Sequence, residues 1–188
     1  MAITIPTLPK YLSTDITLRT SATDQTPYLG GPTQRIARLG DRWVYKVVCQ
    51  DMRADQAGLI LAALNGGLSD KVVCEVRQNG VDLSAYSNGT VVGAASGRTL
   101  NHSGGGGTKF VGQYFSLVKN GVRYLHQITA VAGTVLTFAP MLKVTVSGGE
   151  VLEFGSPKIE GFLDGKEQTY TVGFLGNVTL GFSIVEGQ

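Results

Sequence analysis

The side chains that most often carry chemistry are few in this chain and widely spaced. Its 188 residues include two histidines, His102 and His126. A catalytic histidine needs a group placed to orient it and a nucleophile within reach, and no acidic residue is spaced to orient either one. The chain also has no Gly-x-Ser-x-Gly element of the kind that presents a nucleophilic serine. We therefore interpret both histidines as structural and expect a protein that is not an enzyme.

The two cysteines, Cys49 and Cys74, each lie in an apolar, strand-like run. In a reducing compartment such residues are expected to be buried, reduced thiols. A structural zinc ion takes four ligands at short spacings, and two cysteines with two distant histidines fit that requirement poorly. The residues predict neither a metal nor another cofactor.

A run of four glycines, Gly104 to Gly107, is the most flexible point of the chain. One interpretation is a loop that cradles phosphate. Nucleotide-binding motifs need a Lys-Ser/Thr pair or a glycine pattern that opens a helix, whereas Thr108-Lys109-Phe110 leads into a strand-like run. The plainer interpretation is a glycine-rich connector over residues 87–108.

The amino-acid composition limits the classes of partner that the chain is expected to bind. Charged residues make up 16% of the chain, below the usual quarter for soluble domains. This fits either a β-protein rich in Thr and Gly or a subunit that hides surface in an assembly. The net charge of +2 is too weak to indicate nucleic-acid recognition. No apolar stretch has transmembrane length and the first residues lack a signal-peptide pattern, so we expect no membrane association and synthesis in a cytoplasm.

The clearest local structure is a three-strand meander over residues 112–142. Asn120-Gly121 separates two strand-like runs, and this pair is the strongest short hairpin signal because a type I′ turn needs positive φ at both central residues. A turn there makes Leu117 face Tyr124 across the hairpin. A third strand is predicted over 134–138.

The one convincing helix is predicted from Asp51 to Leu64. Asp51 can cap its N-terminus, apolar residues recur at spacings of three and four, and Asn65-Gly66-Gly67 gives a C-terminal stop. Gly58 weakens the helix by about 1 kcal/mol relative to alanine, and we interpret it as a point of close approach to a sheet.

The predicted fold is mainly β: a β-sandwich with one flanking α-helix and an inserted small β-module. Residues 1–12 are expected to be an extended N-terminal arm that would fray in a monomer and could lie on a neighbour in an assembly. The sandwich is predicted to comprise residues 13–86 and 156–188. Residues 87–108 are the connector, and residues 109–155 are the inserted module.

Several short motifs, in order along residues 30 to 163, resemble those of minor tail proteins from long-tailed bacteriophages, similar to distal tail proteins. Each motif is short, and the resemblance depends on their order. They are Gln-Arg followed by Gly-x-Arg-Trp within 33–43, Asp51-Met52-Arg53 before the helix, 113–117 with 121–129, Ala139-Pro-Met-Leu and Pro157-Lys-Ile-Glu-Gly.

The resemblance implies a β-sandwich of the tail-tube type and a structural role in the virion tail. Distal tail proteins form a ring, usually hexameric, that joins the tail tube to the baseplate hub. The implied partners are further copies of the chain, the tube protein, the tape measure and the hub proteins. Many family members carry a larger C-terminal carbohydrate-binding-like domain, and the end of this chain at Gln188 predicts no direct role in host sugar recognition.

Five residues are the candidate contacts with neighbouring subunits. They are Trp43, Tyr114, Asn120, Gly121 and Tyr124. An alternative function is a receptor- or glycan-binding module of the tail tip, in which Tyr114, Phe115, Tyr124 and Phe138 of residues 109–155 would form the contact.

Overall fold

A computed structural model describes residues 2–10, 12–28, 30–36, 39–173 and 176–187. Over these residues the chain is mainly β, as predicted, with fifteen strands and a single α-helix. In chain order the elements are β1 Ile3–Thr4, β2 Leu12–Arg19, β3 Thr23–Gln25, β4 Gln34–Ile36, β5 Arg42–Met52, α1 Ala54–Gly67, β6 Val72–Glu75, β7 Tyr86–Ser96, β8 Thr99–Gly106, β9 Tyr114–Lys119, β10 Val122–Ala132, β11 Val135–Ala139, β12 Val151–Glu153, β13 Lys158–Leu163, β14 Tyr170–Val172 and β15 Val178–Glu186.

One sheet has seven strands in the order β1-β6-β13-β15-β5-β2, with β14 also paired to β15. Its pairs are antiparallel except for β1 with β6. Alternate residues of the long strands β5 and β15 point into a core that α1 also joins through Ile60 and Leu64. The alternating core residues of these two strands include Tyr45, Val47, Cys49, Leu180, Phe182 and Ile184. This alternation is the expected pattern for a sheet that buries one face.

The second body is a closed six-stranded barrel in the order β10-β11-β8-β7-β12-β9. Its core is rich in fully buried aromatic residues, among them Phe115, Phe138 and Phe154. Closure removes free strand edges from this part of the molecule. The remaining two-stranded ribbon pairs β3 with β4.

The predicted hairpin is confirmed. Asn120 and Gly121 have φ of 52° and 79°, as a type I′ turn requires. The register pairs Leu117 with Tyr124. The predicted third strand is β11, which pairs with β10.

The prediction of a connector over 87–108 is wrong. These residues form most of β7 and β8, a hairpin that contributes two strands to the barrel. The glycines lie where the chain turns at Gly97, with φ of +75°, and near register shifts such as the one between Val92 and Ser96. Bulges and tight turns use glycine without ending a sheet, so the glycine content misled the prediction.

The predicted free N-terminal arm is not seen, because residues 2–10 pack against the seven-stranded sheet of the same chain. The β1 strand pairs with β6, and Ile5 and Leu8 are buried in the sheet core. The Arg77 guanidinium donates to the carbonyl of Pro9 at 2.9 Å. Ile5, before Pro6, and Leu8, between Pro6 and Pro9, supply the burial that holds this segment in place. Met1 and Tyr11 lie outside the described residues.

The helix is present but its ends differ from the prediction. Asp51 belongs to β5 with φ of 51°, and the N-cap is Arg53, whose side chain makes no capping hydrogen bond. The helix continues through Gly67. Gly58 is exposed with open space around it, whereas a Cβ on Gly67 would lie 2.2 Å from Val72 Cγ1. The close approach to the sheet is therefore made at Gly67.

The sequence further predicts short strands over residues 34–39 and 169–175 and a short hairpin over 142–154, and the structure differs from these predictions in extent. The strands predicted over 34–39 and 169–175 include residues 37, 38, 174 and 175, which lie outside the described residues; the described parts contain β4 and β14. The hairpin predicted over 142–154 is replaced by β12, which pairs with both β7 and β9, and by an isolated bridge between Ala95 and Val146.

The two helix glycines make a matched pair of substitutions. Gly67→Ala is expected to lower the free energy of unfolding by about 1–3 kcal/mol, because the new methyl group collides with Val72 in a packed core. Gly58→Ala is expected to raise it by up to about 1 kcal/mol through helix propensity alone. Urea unfolding of both variants measures the difference, and equal effects would contradict this account of α1 packing.

Candidate functional site

Trp43 and Tyr114, two of the predicted contact residues, meet inside the molecule. Their rings form an edge-to-face pair with centroids 5.3 Å apart and planes at 75°. Trp43 is only 4% exposed. The Tyr114 backbone N–H donates to Gln78 Oε1 at 2.9 Å, and its carbonyl accepts from Gln78 Nε2 at 3.3 Å. These residues connect the sheet strand β5 to the barrel strand β9, so Trp43 anchors an internal interface and does not offer an outer surface.

The other predicted contact residues lie elsewhere. Asn120 and Gly121 are exposed at the tip of the β9–β10 hairpin. Tyr124 is half-buried and lines a shallow surface cleft with Leu39 and Lys143. The structure therefore brings Trp43 and Tyr114 together and leaves the hairpin tip as a separate, exposed candidate.

A buried glutamate at the end of β15 joins the sheet to the barrel. Glu186 is 1% exposed. Its carboxylate accepts hydrogen bonds from the backbone N–H of Leu125 at 2.9 Å and of Trp43 at 3.3 Å. The Lys143 ammonium donates to the same carboxylate at 2.8 Å, and its side chain is 9% exposed. One side chain thus holds β5, β10 and the segment after β11.

Two further buried glutamates extend this junction. Glu160 on β13 accepts from the backbone N–H of Arg123 at 3.0 Å. Glu153 on β12 accepts from the Ser116 hydroxyl at 2.6 Å, the Lys158 ammonium at 3.3 Å and the Arg123 guanidinium at 3.3 Å. The Ser116 oxygen also accepts from the backbone N–H of Lys158 at 3.0 Å. The bonds made by Glu160 and by Lys158 cross from the sheet to the barrel. The bonds from Ser116 and Arg123 to Glu153 lie within the barrel and orient groups that take part in those crossing bonds.

The junction is electrically balanced. It contains three carboxylates and three cationic side chains: Glu186 is paired with Lys143, and Glu153 is paired with both Lys158 and Arg123. Glu160 accepts a hydrogen bond from the backbone N–H of Arg123. Removing charges from water costs several kcal/mol per ion, and the attraction between them offsets that cost only where geometry and hydrogen bonds are good. We expect such a network to contribute more to the uniqueness of the docked arrangement than to net stability, since another orientation would leave these carboxylates without their donors.

Sequence reasoning missed these three glutamates. Each directly follows a large aliphatic residue in a strand: Leu152-Glu153, Ile159-Glu160 and Val185-Glu186. A carboxylate in an apolar strand is the signal that could have found them, because charged residues are almost never fully buried unless paired.

Both histidines pack against aromatic rings of the barrel. His126 is 1% exposed and its ring lies 4.8 Å, centroid to centroid, from that of Phe138. Burial lowers the pKa of His126 to about 3, so the ring is neutral and its Nδ1–H donates to the Pro140 carbonyl at 3.0 Å. His102 Nδ1 lies 2.8 Å from the Thr134 carbonyl. Both rings support the barrel.

The cysteines are free and buried, as predicted. Burial raises the pKa of the Cys49 thiol to about 11 and also raises the pKa of Cys74. The thiolate is the nucleophile and metal ligand, so both residues remain protonated and unreactive in the folded protein.

Within residues 2–10, 12–28, 30–36, 39–173 and 176–187, no three or more His, Cys, Asp or Glu side chains come together as metal ligands. The single helix in the same ranges is not long and apolar enough to cross a membrane.

No model of a known protein family matches this sequence, and no curated protein matches it at a significant level.

Glu186→Ala is expected to lower the free energy of unfolding by about 3–5 kcal/mol, the usual cost of removing one partner from a buried ion pair. The substitution leaves the Lys143 ammonium and two backbone N–H groups unpaired. Asp164→Ala is the control, because it removes a surface pair with Arg19 whose side chains are 49% and 60% exposed and should change stability by no more than about 0.5 kcal/mol. Similar urea midpoints for the two variants would show that the junction is not the constraint described.

The neutral His126 gives a pH dependence of known sign. Below the unfolded-state pKa of about 6.5, the unfolded chain binds a proton at this residue that the folded protein does not. The free energy of unfolding therefore falls as the pH drops from about 6.5 toward 3, by up to about 1.4 kcal/mol per pH unit from this group. His126→Phe removes the contribution. Urea titrations between pH 7 and 4.5 should show a shallower slope for the variant, and parallel curves would refute the assignment.

Proposed function

We propose that this chain is a structural subunit of a bacteriophage tail tip, similar to distal tail proteins. Copies of the chain form a ring that joins the tail tube to the baseplate hub. The resemblance to distal tail proteins implies that this ring is hexameric. Two independent considerations support the proposal. One is the ordered set of short motifs in the sequence, and the other is the open edge of the seven-stranded sheet.

The observation that carries the proposal is the edge strand β2. Its eight residues end the sheet, and over the described residues β2 is paired only with β5. An edge strand of this length presents a row of backbone donors and acceptors that other chains can pair with. Pairing between neighbours around a closed ring covers such edges without leading to open aggregates.

The arrangement of the two bodies fits a ring subunit. We infer that the seven-stranded sheet with α1 belongs to a sandwich of the tail-tube type and that the barrel is its inserted module. The buried glutamates fix the direction in which the barrel projects from the sheet, and a ring needs that direction to be the same in every copy. The proposed location is the virion tail, after synthesis in the host cytoplasm, with tube, tape measure and hub proteins as neighbours.

The alternative of a glycan-binding module has less support. Phe115 and Phe138 are fully buried in the barrel core, and Tyr114 packs against Trp43. Stacking on a sugar requires an exposed aromatic face, which these three residues do not provide. The residues described above contain no catalytic arrangement. A structural role is therefore better supported than an enzymatic one.

Imaging and mass spectrometry of particles test the proposal directly. The chain should be present in purified virions in about six copies, and an antibody or tag on it should label the tail end distal to the capsid. Negative-stain images of the purified protein should show rings. A chain that is absent from virions and strictly monomeric in solution would refute the ring function.

Two neighbouring proline substitutions test the edge strand. Successive residues of a strand point their N–H groups to opposite sides, so one of Thr14→Pro and Asp15→Pro removes a hydrogen bond to β5 and the other removes only an outward donor. The variant that removes only the outward N–H should keep near-native thermal stability but should no longer form rings, as measured by light scattering and imaging. Rings that persist in the variant of native stability would exclude β2 as the subunit contact.

A further inference from the structure

The four-glycine run wraps around an ammonium group. The Lys109 Nζ donates to the carbonyl oxygens of Gly105 at 3.1 Å and Gly107 at 3.2 Å, and also to the carbonyl of Gly106. An ammonium has three N–H donors and no acceptor. The three carbonyls therefore satisfy all of its donors without water, in a residue that is only 7% exposed.

Two aromatic rings complete the surroundings of this ammonium. The Lys109 Nζ lies 4.4 Å from the ring centroid of Phe154 and 5.0 Å from that of Tyr86. Both distances are within the range of cation–π attraction, which is strongest where water is excluded. The Tyr86 hydroxyl donates to the Thr108 carbonyl, which holds this ring beside the glycine run.

The backbone of the run is built for this geometry. Gly105 has φ of +90°, and a Cβ there would lie 2.7 Å from Phe154 Cδ2 and 3.1 Å from Lys109 Nζ. A side chain at this position would enter the space that the ring and the ammonium occupy. The glycine allows both the positive φ and the close approach of its carbonyl.

The polarity of this site is opposite to that of a phosphate cradle. A phosphate-binding loop presents backbone N–H groups to its ligand. Here the converging groups are carbonyl oxygens and aromatic faces, all of which attract cations. The interpretation of the glycine run as a phosphate loop is therefore replaced by one in which it surrounds a cation.

We infer that residues 105–107, with Tyr86 and Phe154, form a binding cage for a primary alkylammonium, and that Lys109 is its tethered occupant. Tethering gives the side chain a high effective concentration at the cage, so a free ammonium does not compete in the native protein. When the side chain is shortened, an alkylammonium of the same length takes its place. This inference is independent of the proposed function.

Chemical rescue of Lys109→Ala tests the cage. The substitution removes three methylene groups and the ammonium, which n-propylammonium replaces atom for atom. Lys109→Ala should unfold at a lower temperature than the native protein, and n-propylammonium chloride should raise the unfolding midpoint by about 4 °C or more in a saturable manner. Sodium chloride and tetramethylammonium chloride at equal ionic strength should give no comparable increase, because neither cation has N–H donors.

A matched variant controls for general effects of amines. Lys71→Ala removes an ammonium that lies 5.8 Å over one ring, that of Phe162, and its midpoint should not respond to n-propylammonium. An equal response to sodium, to tetramethylammonium or in Lys71→Ala would overturn the inference, as would no response in Lys109→Ala. If Lys109→Ala does not fold, refolding from urea with and without n-propylammonium gives the same comparison, scored as the folded fraction.

Discussion

The buried carboxylates of Glu153, Glu160 and Glu186 constrain the whole molecule. Each is removed from water, and a buried charge without hydrogen bonds costs more than any single packing contact can offset. Their donors come from both the sheet and the barrel. The two bodies therefore have one arrangement in which these carboxylates are satisfied, and the aliphatic packing around them is compatible with that arrangement.

The cores of the two bodies meet at the same place. Leu125 belongs to a barrel strand but packs in the sheet core, and the Trp43–Tyr114 pair spans the boundary beside it. Hydrophobic contact brings the sheet and the barrel together without strict direction, since burial depends mainly on area. The hydrogen-bonded carboxylates supply the direction. A subunit whose parts keep one orientation is suited to a closed assembly, in which every copy must present the same edges.

Lys109 follows the same physical rule with the opposite charge. Its ammonium is shielded from water and satisfied by backbone carbonyls and aromatic faces, as the glutamates are satisfied by backbone N–H groups and cations. In both places backbone groups supply hydrogen bonds to the buried charged side chain. The chain is low in charge overall, and several of its charged residues act inside the structure instead of on its surface.

Local patterns in the sequence were sufficient for the hairpin at Asn120-Gly121, the mainly β composition of the fold, the existence of one helix and the burial of both cysteines. Each depends on neighbours in the chain: turn chemistry, alternation or periodicity. Glycine content over 87–108 hid two barrel strands, because bulges and turns within a sheet use the same residue as a loop. The glutamate junction and the placing of the Tyr86 and Phe154 rings beside the Lys109 ammonium were decided only by the tertiary structure, since these partners lie on distant strands and no local pattern specifies which strands will meet. Gly67 and Val72 are close in the chain, but their contact depends on how the end of α1 packs on β6.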